Sequence, residues 1–462
     1  MAKAQNVDQL SLGLPGLYEA ARPPRELADV SEGRGYHWRI GSQIPTLGAH
    51  SVAKHEIFER YIDAYISTLT KSHQQTRLKL TIVDGFCGGG RYRLLDEEVD
   101  GSPLRMLHAV ERAEAKLREA RTRGFVIEAD FIFVDQKKEH LDFLENLLRS
   151  RGFGSRIGSS IRLYHGAFED FATDIVGAIR RRGRAHRSLF FLDQYGWSGV
   201  RMSTIRTIMN DLANPEVVLT FMIDALINLL CEKNSEIRAL ADLDFSREDV
   251  RALIDMKERR GWKRLIQNTI YKHIQRVTGA EFYTPFFVHP PESHRDYWLL
   301  HLSKHHQARE EMGNVFWGMQ NTMEHFGSAG FDALGFDPSV DVRQGMMDYL
   351  FDDSAKARSK DALLEQIPDL LFSADSTGKV LTKRELFASR ANDTPVVSSI
   401  VDAQLAELRD AGEIMIIGQK PGTDPRDRIK SVRGRTRAFQ WSDEIRFTRQ
   451  RPLFSIIKSR AA

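Results

Sequence analysis

Leu80-Thr-Ile-Val-Asp84-Gly85-Phe86-Cys87-Gly88-Gly89-Gly90-Arg91-Tyr92 is the stretch on which the fold turns. A short apolar run with β-branched residues ends in an acid, and a glycine-dense turn follows at once. The next helical run opens near Ser102-Pro103. Strand, acid, glycines and helix in that order bring the backbone of an α/β sheet close to a nucleotide-like ligand. Glycine also serves plain tight turns through its φ freedom, so the elements downstream decide what this loop means.

Downstream the chain alternates. Strands are predicted over 78–84, 129–135, 160–165, 188–193 and 216–223, with helices over 103–121, 137–150, 168–181 and 201–212 between them. The strands are near-continuous apolar runs, as strands buried on both faces of a parallel sheet should be. Repeated βα units of this length form a doubly wound sheet with right-handed crossovers. Ahead of them, one apolar stripe from Ser51 to Leu69 marks a helix. After the fifth strand, residues 232–280 read as a helical insertion. Two further strands, Glu281 to Val288 and Tyr297 to Ser303, lie close enough to pair antiparallel, and a helix follows from His306 to about Met323. The expected fold is a doubly wound, seven-stranded Rossmann-like sheet of five parallel strands plus an antiparallel pair. That is the layout of class I S-adenosylmethionine (SAM) methyltransferases; dehydrogenase-type Rossmann domains lack the final pair.

This domain is taken as residues 46–326. Residues 1–45 carry many Gly and Pro without a period and read as an arm, and 327–360 read as a linker. Residues 361–462 form a separate unit. Helices are predicted over 363–372, over 382–390 with Thr382 and Glu385 as a capping box, and over 396–410 ended by Gly412. Strands Glu413 to Ile417 and Arg437 to Trp441 flank a loop of Gly, Pro and Arg. Two helices, a strand, a basic loop and a strand make the winged-helix variety of helix-turn-helix.

Bulk composition narrows the class. The chain has 462 residues, 42% hydrophobic and 28% charged, ordinary for a soluble multidomain protein. A net charge of +3 is too small to argue for nucleic acid, so the distribution of charge has to. Cys87 and Cys231 lack metal-ligand spacing, so neither a disulfide framework nor a structural zinc is expected, and His305-His306 lacks accompanying ligand spacing, so no metal is assigned. A reducing, cytoplasmic setting is expected. The apolar run Val217 to Leu230 is interrupted by Asp224 and too short to cross a bilayer, so no membrane partner is expected.

Four places carry candidate chemistry. The Asp84–Gly90 loop would let the backbone approach the methionine end of SAM. Asp135 closes the second strand, where an acid accepts hydrogen bonds from ribose hydroxyls or caps the next helix. Glu169-Asp170, after the third strand, stand near the place for an adenine contact but also suit the positive end of a helix. Asp193-Gln194-Tyr195-Gly196-Trp197 leave the fourth strand together. There Asp193 would accept from an exocyclic amine and Tyr195 would stack on a base, as flipped bases are held; an Asp cap with aromatics packed on the sheet edge is the alternative.

On these residues the chain resembles the three-Cys-motif partner family, a methyltransferase-like group associated with a protein carrying clustered cysteines. The resemblance covers about residues 45–325. It rests on Lys54-His55 with the helix through Tyr61, Val83 to Gly90, Gly101-Ser102-Pro103-Leu104, and Phe191-Leu192-Asp193-Gln194-Tyr195-Gly196-Trp197-Ser198-Gly199-Val200. More distantly the chain is similar to bacterial 23S ribosomal RNA adenine-N6 methyltransferases, through His50 with Lys54-His55 and through Gly88 to Leu94. The resemblance implies that Lys54 lies near the cofactor and that the Asp84–Gly90 loop, with Asp84, Gly85, Phe86, Cys87, Gly88 and Gly90, cradles it. It also implies that Asp193 begins the motif that reads Asp-Pro-Pro-Tyr in adenine-N6 enzymes. Here Gln194 and Tyr195 replace the prolines and Gly196 falls where the aromatic belongs, whereas the partner family commonly has Asp-Pro-Phe-Gly.

Basic segments supply the nucleic-acid candidates. Lys420, Arg426, Arg428, Lys430, Arg433 and Arg435 crowd the C-terminal loop, the wing of a winged helix, where they would meet phosphates. The run Arg180-Arg181-Arg182-Gly183-Arg184 with Arg187 precedes the fourth strand, and such runs are either solvated loops or phosphate contacts. The resulting expectation is a SAM-dependent methyltransferase acting on a nucleic-acid base amine, with Asp193, Gln194 and Tyr195 as the catalytic group. The alternative is a SAM- or nucleotide-binding recognition subunit that partners a three-Cys-motif protein on DNA.

Overall fold

The computed structural model describes residues 36–230, 238–259, 262–288, 297–319, 324–326, 330–332, 348–350, 353–418 and 439–448. After α1 (Ala49–Leu69) come β1 (Arg77–Asp84), a hairpin of β2 (Arg91–Leu94) and β3 (Glu97–Asp100), α2 (Ser102–Ala120), β4 (Val126–Asp135) and α3 (Lys138–Ser150). They continue as β5 (Ile161–His165), α4 (Phe168–Arg181), β6 (Arg187–Leu192), α5 (Met202–Asp211) and β7 (Pro215–Phe221). Helices α6 (Ile223–Leu229), α7 (Arg238–Ala241), α8 (Arg247–Asp255) and α9 (Trp262–Thr278) precede β8 (Phe282–Val288), β9 (Tyr297–Ser303) and α10 (His306–Gly318).

The main sheet has seven strands in the order β5-β4-β1-β6-β7-β9-β8. β1 pairs parallel with β4 on one side and β6 on the other, so the strand order reverses at β1. β5 and β7 extend the parallel part, and β9 joins β7 and β8 antiparallel. The expected five parallel strands and antiparallel pair are therefore present. Alternation along each strand divides the core. Leu80 and Ile82 pack with α1, α2, α3 and α10, whereas Val83 packs with α4, α5 and α9. Phe191 and Leu192 divide the same way. With both faces covered, β7 is buried at all seven residues, which explains why these strands read as continuous apolar runs.

A second unit follows a short pair of β10 (Glu324–Phe326) and β11 (Asp348–Leu350). It comprises α11 (Asp353–Ser376), β12 (Leu381–Thr382), α12 (Lys383–Ala388), α13 (Ser398–Asp410), β13 (Ile414–Ile417) and β14 (Glu444–Phe447), with an antiparallel sheet in the order β12-β14-β13 and its own core. The capping box at Thr382 and Glu385 forms as expected. A buried side chain of α10 fastens this unit to the first. Arg309 donates to the carbonyls of Ala391 (3.1 Å), Val396 (2.6 Å) and Thr394, while Glu310 accepts from Ser398 N and Oγ at 2.6 Å.

Three elements depart from the sequence reading. The β2–β3 hairpin was not expected: its two-residue turn, Leu95-Asp96, puts Leu95 at φ +55° without the Gly or Asn that usually signals such a turn. Helix α11 begins at Asp353, inside the stretch read as a linker, and runs through the predicted 363–372 helix, Pro368 included, to Ser376. The last strand is Glu444–Phe447, not 437–441. Phe439 and Trp441 instead pack on the second core, and Asp443 accepts from Gln440 N in a turn.

Candidate functional site

The carboxyl ends of β4, β1 and β6 are adjacent, and each delivers an aspartate. In an open α/β sheet the ligand crevice lies there, at the point where strand order reverses. Asp84 ends β1 and is 1% exposed. Its Oδ1 accepts from Phe86 N at 3.1 Å and its Oδ2 from Ser102 Oγ at 2.7 Å, which ties the glycine loop to the start of α2. Burial pushes the Asp84 carboxyl up to about 7, only partly offset by Ser102 and the Phe86 amide, and the charges of Asp193 and Asp135 add to the rise.

Asp135 ends β4 and organises the loop beside it. Its Oδ2 accepts from Gly88 N at 3.1 Å, its Oδ1 from Lys137 N at 2.8 Å, and His140 Nδ1 lies 3.0 Å from Oδ1. Asp193 follows β6. Lys54 Nζ, projecting from α1, reaches both of its oxygens at 2.6 and 2.8 Å, and Thr220 Oγ1 donates to Oδ1 at 2.6 Å. Burial alone would raise the Asp193 carboxyl, but the Lys54 ammonium, the Thr220 hydroxyl and nearby His55 outweigh it, and the group sits below the usual carboxylate range. The sequence singled out Lys54 and Asp193 separately; their ion pair bridges 139 residues of chain.

The loop glycines have an occupant for the space they leave. A Cβ at Gly88 would come within 2.7 Å of the Trp38 indole, and one at Gly89 within 2.2 Å. Gly88 and Gly90 also hold φ of +59° and +76°, where side chains are strained. Trp38 is buried and donates Nε1 to Arg91 O at 2.5 Å. The stretch read as a featureless arm thus places an aromatic lid on Gly88 and Gly89, and those two glycines make their close approach to the protein itself. Gly85 packs against Leu192 and Phe168, and Gly90 against Leu144. Cys87 is buried, with its thiol driven up by burial, and acts as a core residue of this loop.

Beyond β6 the backbone turns through Gly196 at φ +99°. Tyr195 is 75% exposed at this turn, whereas Gln194 is 2% exposed with its side chain turned inward. Gln194 Oε1 accepts from Val200 N at 2.9 Å and so braces the loop, and its Nε2 is a buried donor without a partner among the described residues. Glu169 receives Arg201 N and Thr204 Oγ1, both at 2.8 Å, while Asp170 accepts from Ala167 N at 3.1 Å. These two acids therefore fasten α4 and the β6–α5 loop. Sequence reading missed Trp38 and Thr220; Thr220 carried a weak signal as a hydroxyl in the apolar run Val217 to Phe221. Lys420, Arg426, Arg428, Lys430, Arg433 and Arg435 lie outside the described residues. Among the described residues there is no cluster suited to a metal and no helix long and apolar enough to cross a membrane.

No protein-family model matches the chain, and no curated protein matches it in sequence. Similar solved structures include the O-methyltransferase TomG of Streptomyces achromogenes in complex with SAM, at 12% identity over 56% of this chain and 92% of that one, with a TM-score of 0.27. Protein LPL1258 of Legionella pneumophila is 9% identical over 54% and 84%, with a TM-score of 0.30. A human methyltransferase 10 domain containing protein is 10% identical over 54% and 82%, with a TM-score of 0.25. The fold assignment rests on the strand order rather than on these overlaps.

Proposed function

We propose that this chain is a SAM-dependent methyltransferase whose acceptor is the exocyclic amine of a nucleic-acid base. The observation that carries the reading is the set of three aspartates, Asp135, Asp84 and Asp193, on adjacent strand ends at the reversal point of a sheet with the methyltransferase strand order. Carboxylates gathered there suit a cationic donor with a ribose. Asp135 would take the ribose hydroxyls, because its two oxygens are already oriented by Gly88 N and Lys137 N and retain acceptor capacity. Bound there, SAM would supply an electrophilic methyl group.

The chain's own groups would do the rest by positioning. Asp193 Oδ2 accepts one hydrogen bond among the described residues, from Lys54, and keeps a lone pair for an amine hydrogen. Lys54 and Thr220 hold that carboxylate ionised and in one orientation. Tyr195, exposed at the rim, would stack on the base, and the Gln194 Nε2 donor would find its acceptor on the ligand. The C-terminal unit, with helices α12 and α13 and strand order β12-β14-β13, would serve as a winged helix that guides the polymer, its basic loop being the wing.

One arrangement favours a second reading. The Lys54–Asp193 pair and the inward Gln194 make a motif braced by the protein itself, which suits a recognition subunit that binds SAM without transferring methyl and acts with a three-Cys-motif partner. Label transfer from radioactive SAM to DNA, RNA and protein pools separates the two. Transfer to nucleic acid that is lost in Asp193→Ala supports the enzyme. SAM binding without transfer, with the partner present, supports the subunit, and absence of SAM binding contradicts both.

A further inference from the structure

We infer that the amino edge of the main sheet, opposite the crevice, is a phosphodiester-binding surface for a nucleic acid. The helix-to-strand connections that enter β1, β4 and β6 span residues 66–77, 117–126 and 178–187. They hold ten Lys and Arg, nine of them Arg, against one acid, Glu119. The three strands are neighbours in the sheet, so topology brings these loops to one edge.

Part of this charge is used internally. Arg77 pairs with Glu128 at 3.3 Å, Arg118 with Glu114 at 2.6 Å and Arg182 with Asp130 at 2.6 Å, and Arg121 caps the carbonyls of Thr70 and Gln75. Arg123, Arg181 and Arg184 are exposed and have no carboxylate within 4 Å among the described residues. Two concavities lie on this edge. A groove lined by Arg77, Arg118, Arg123 and Val126 meets, at Glu128, a cavity of about 230 Å³ lined by Lys79, Asp130, Arg182 and His186, so the concavities are of mixed charge and the exposed arginines stand around them. His186 is buried and bonds Thr81 Oγ1 at 2.7 Å through Nε2, while its Nδ1 has no partner among the described residues.

The chemistry selects the partner. Guanidinium groups recognise phosphate in a bidentate fork. Spread over two strand spacings, roughly 10 Å, they match a polyanion better than a single small anion. Across that width a duplex presents about six charges, at one per ~1.7 Å. The edge lies about 25 Å from the crevice, the length of an eight-residue strand, so it would hold a segment remote from any base at Asp193. The inference does not depend on methyl transfer.

The test is fluorescence anisotropy of the full chain with a 25-base-pair DNA duplex, an RNA hairpin and phosphatidylserine vesicles across a salt series. The comparison is wild type against Arg123→Gln/Arg181→Gln/Arg184→Gln, with thermal unfolding confirming that the exposed substitutions leave the fold intact. Each lost phosphate contact reduces the slope of log affinity against log salt by about 0.9. The variant should therefore lose roughly 2–3 from the slope and at least about tenfold in affinity for one or both polymers at low salt. Equal slopes and affinities in the two proteins would overturn the inference. So would failure of the wild type to bind either polymer, or binding of vesicles alone.

Discussion

The two ends of β4, β1 and β6 handle charge in opposite ways. At the carboxyl end, segments 84–105, 135–141 and 192–205 carry eight acids and six Lys and Arg, and the three aspartates, Asp84 buried and Asp135 and Asp193 half-buried, are held by two or three named donors each. At the amino end the entering connections carry ten Lys and Arg against one acid, mounted mostly on exposed loops. One sheet thus presents a preorganised site at one end and an adjustable, salt-screened surface at the other. Substitutions at the first end should change stability and ligand affinity, whereas substitutions at the second should change polymer affinity alone.

The largest expected effect is at the lid. Trp38→Ala removes a buried indole from above Gly88 and Gly89 and should lower the unfolding free energy by about 4 kcal/mol. Denaturant melts would measure it, and a loss under about 1 kcal/mol would mean that Trp38 does not anchor the loop. Next comes Asp193→Asn, which strands the Lys54 ammonium in a site where it is nearly buried and should cost about 3 kcal/mol. Lys54→Met added to Asp193→Asn should recover part of that loss; a purely additive pair would contradict the coupling.

Acidity offers a third way to separate the ends. The Asp84 carboxyl is raised to about 7 in the folded chain, whereas an unfolded aspartate titrates near ~4. A raised carboxyl stabilises the fold below the unfolded value and loses that contribution as pH rises towards the folded one. Wild-type stability should therefore fall between about pH 4 and 7 relative to Asp84→Asn, as followed by chemical unfolding at each pH. Parallel profiles would show that Asp84 ionises normally. The smallest effect belongs to the amino edge: Arg184→Gln should stay within about 0.5 kcal/mol of wild type and leave SAM affinity unchanged.

Much of this contrast was legible in the sequence because it follows from short-range pattern. Apolar runs placed the parallel strands to within a few residues, and that placement put Asp84, Asp135 and Asp193 at neighbouring strand ends. What escaped depends on distant partners or on missing local signals. Trp38 lies in a Gly- and Pro-rich stretch with no period, yet the glycines it covers and the carbonyl it bonds are 50 or more residues away. The β2–β3 turn has Leu95 rather than Gly or Asn at its left-handed position, and the Arg309 clamp joins side chain to backbone across more than 80 residues. The inward turn of Gln194 depends on a bond to Val200 N that residue types alone do not specify.

Calorimetry with SAM on wild type and Asp135→Ala tests the central claim most directly. Hydrogen bonds to a charged group contribute about 1.5–3 kcal/mol, so the variant should bind at least about tenfold more weakly than a wild type that binds with measurable heat. No binding by the wild type, or equal affinity in the two proteins, would contradict the assignment of this crevice to SAM.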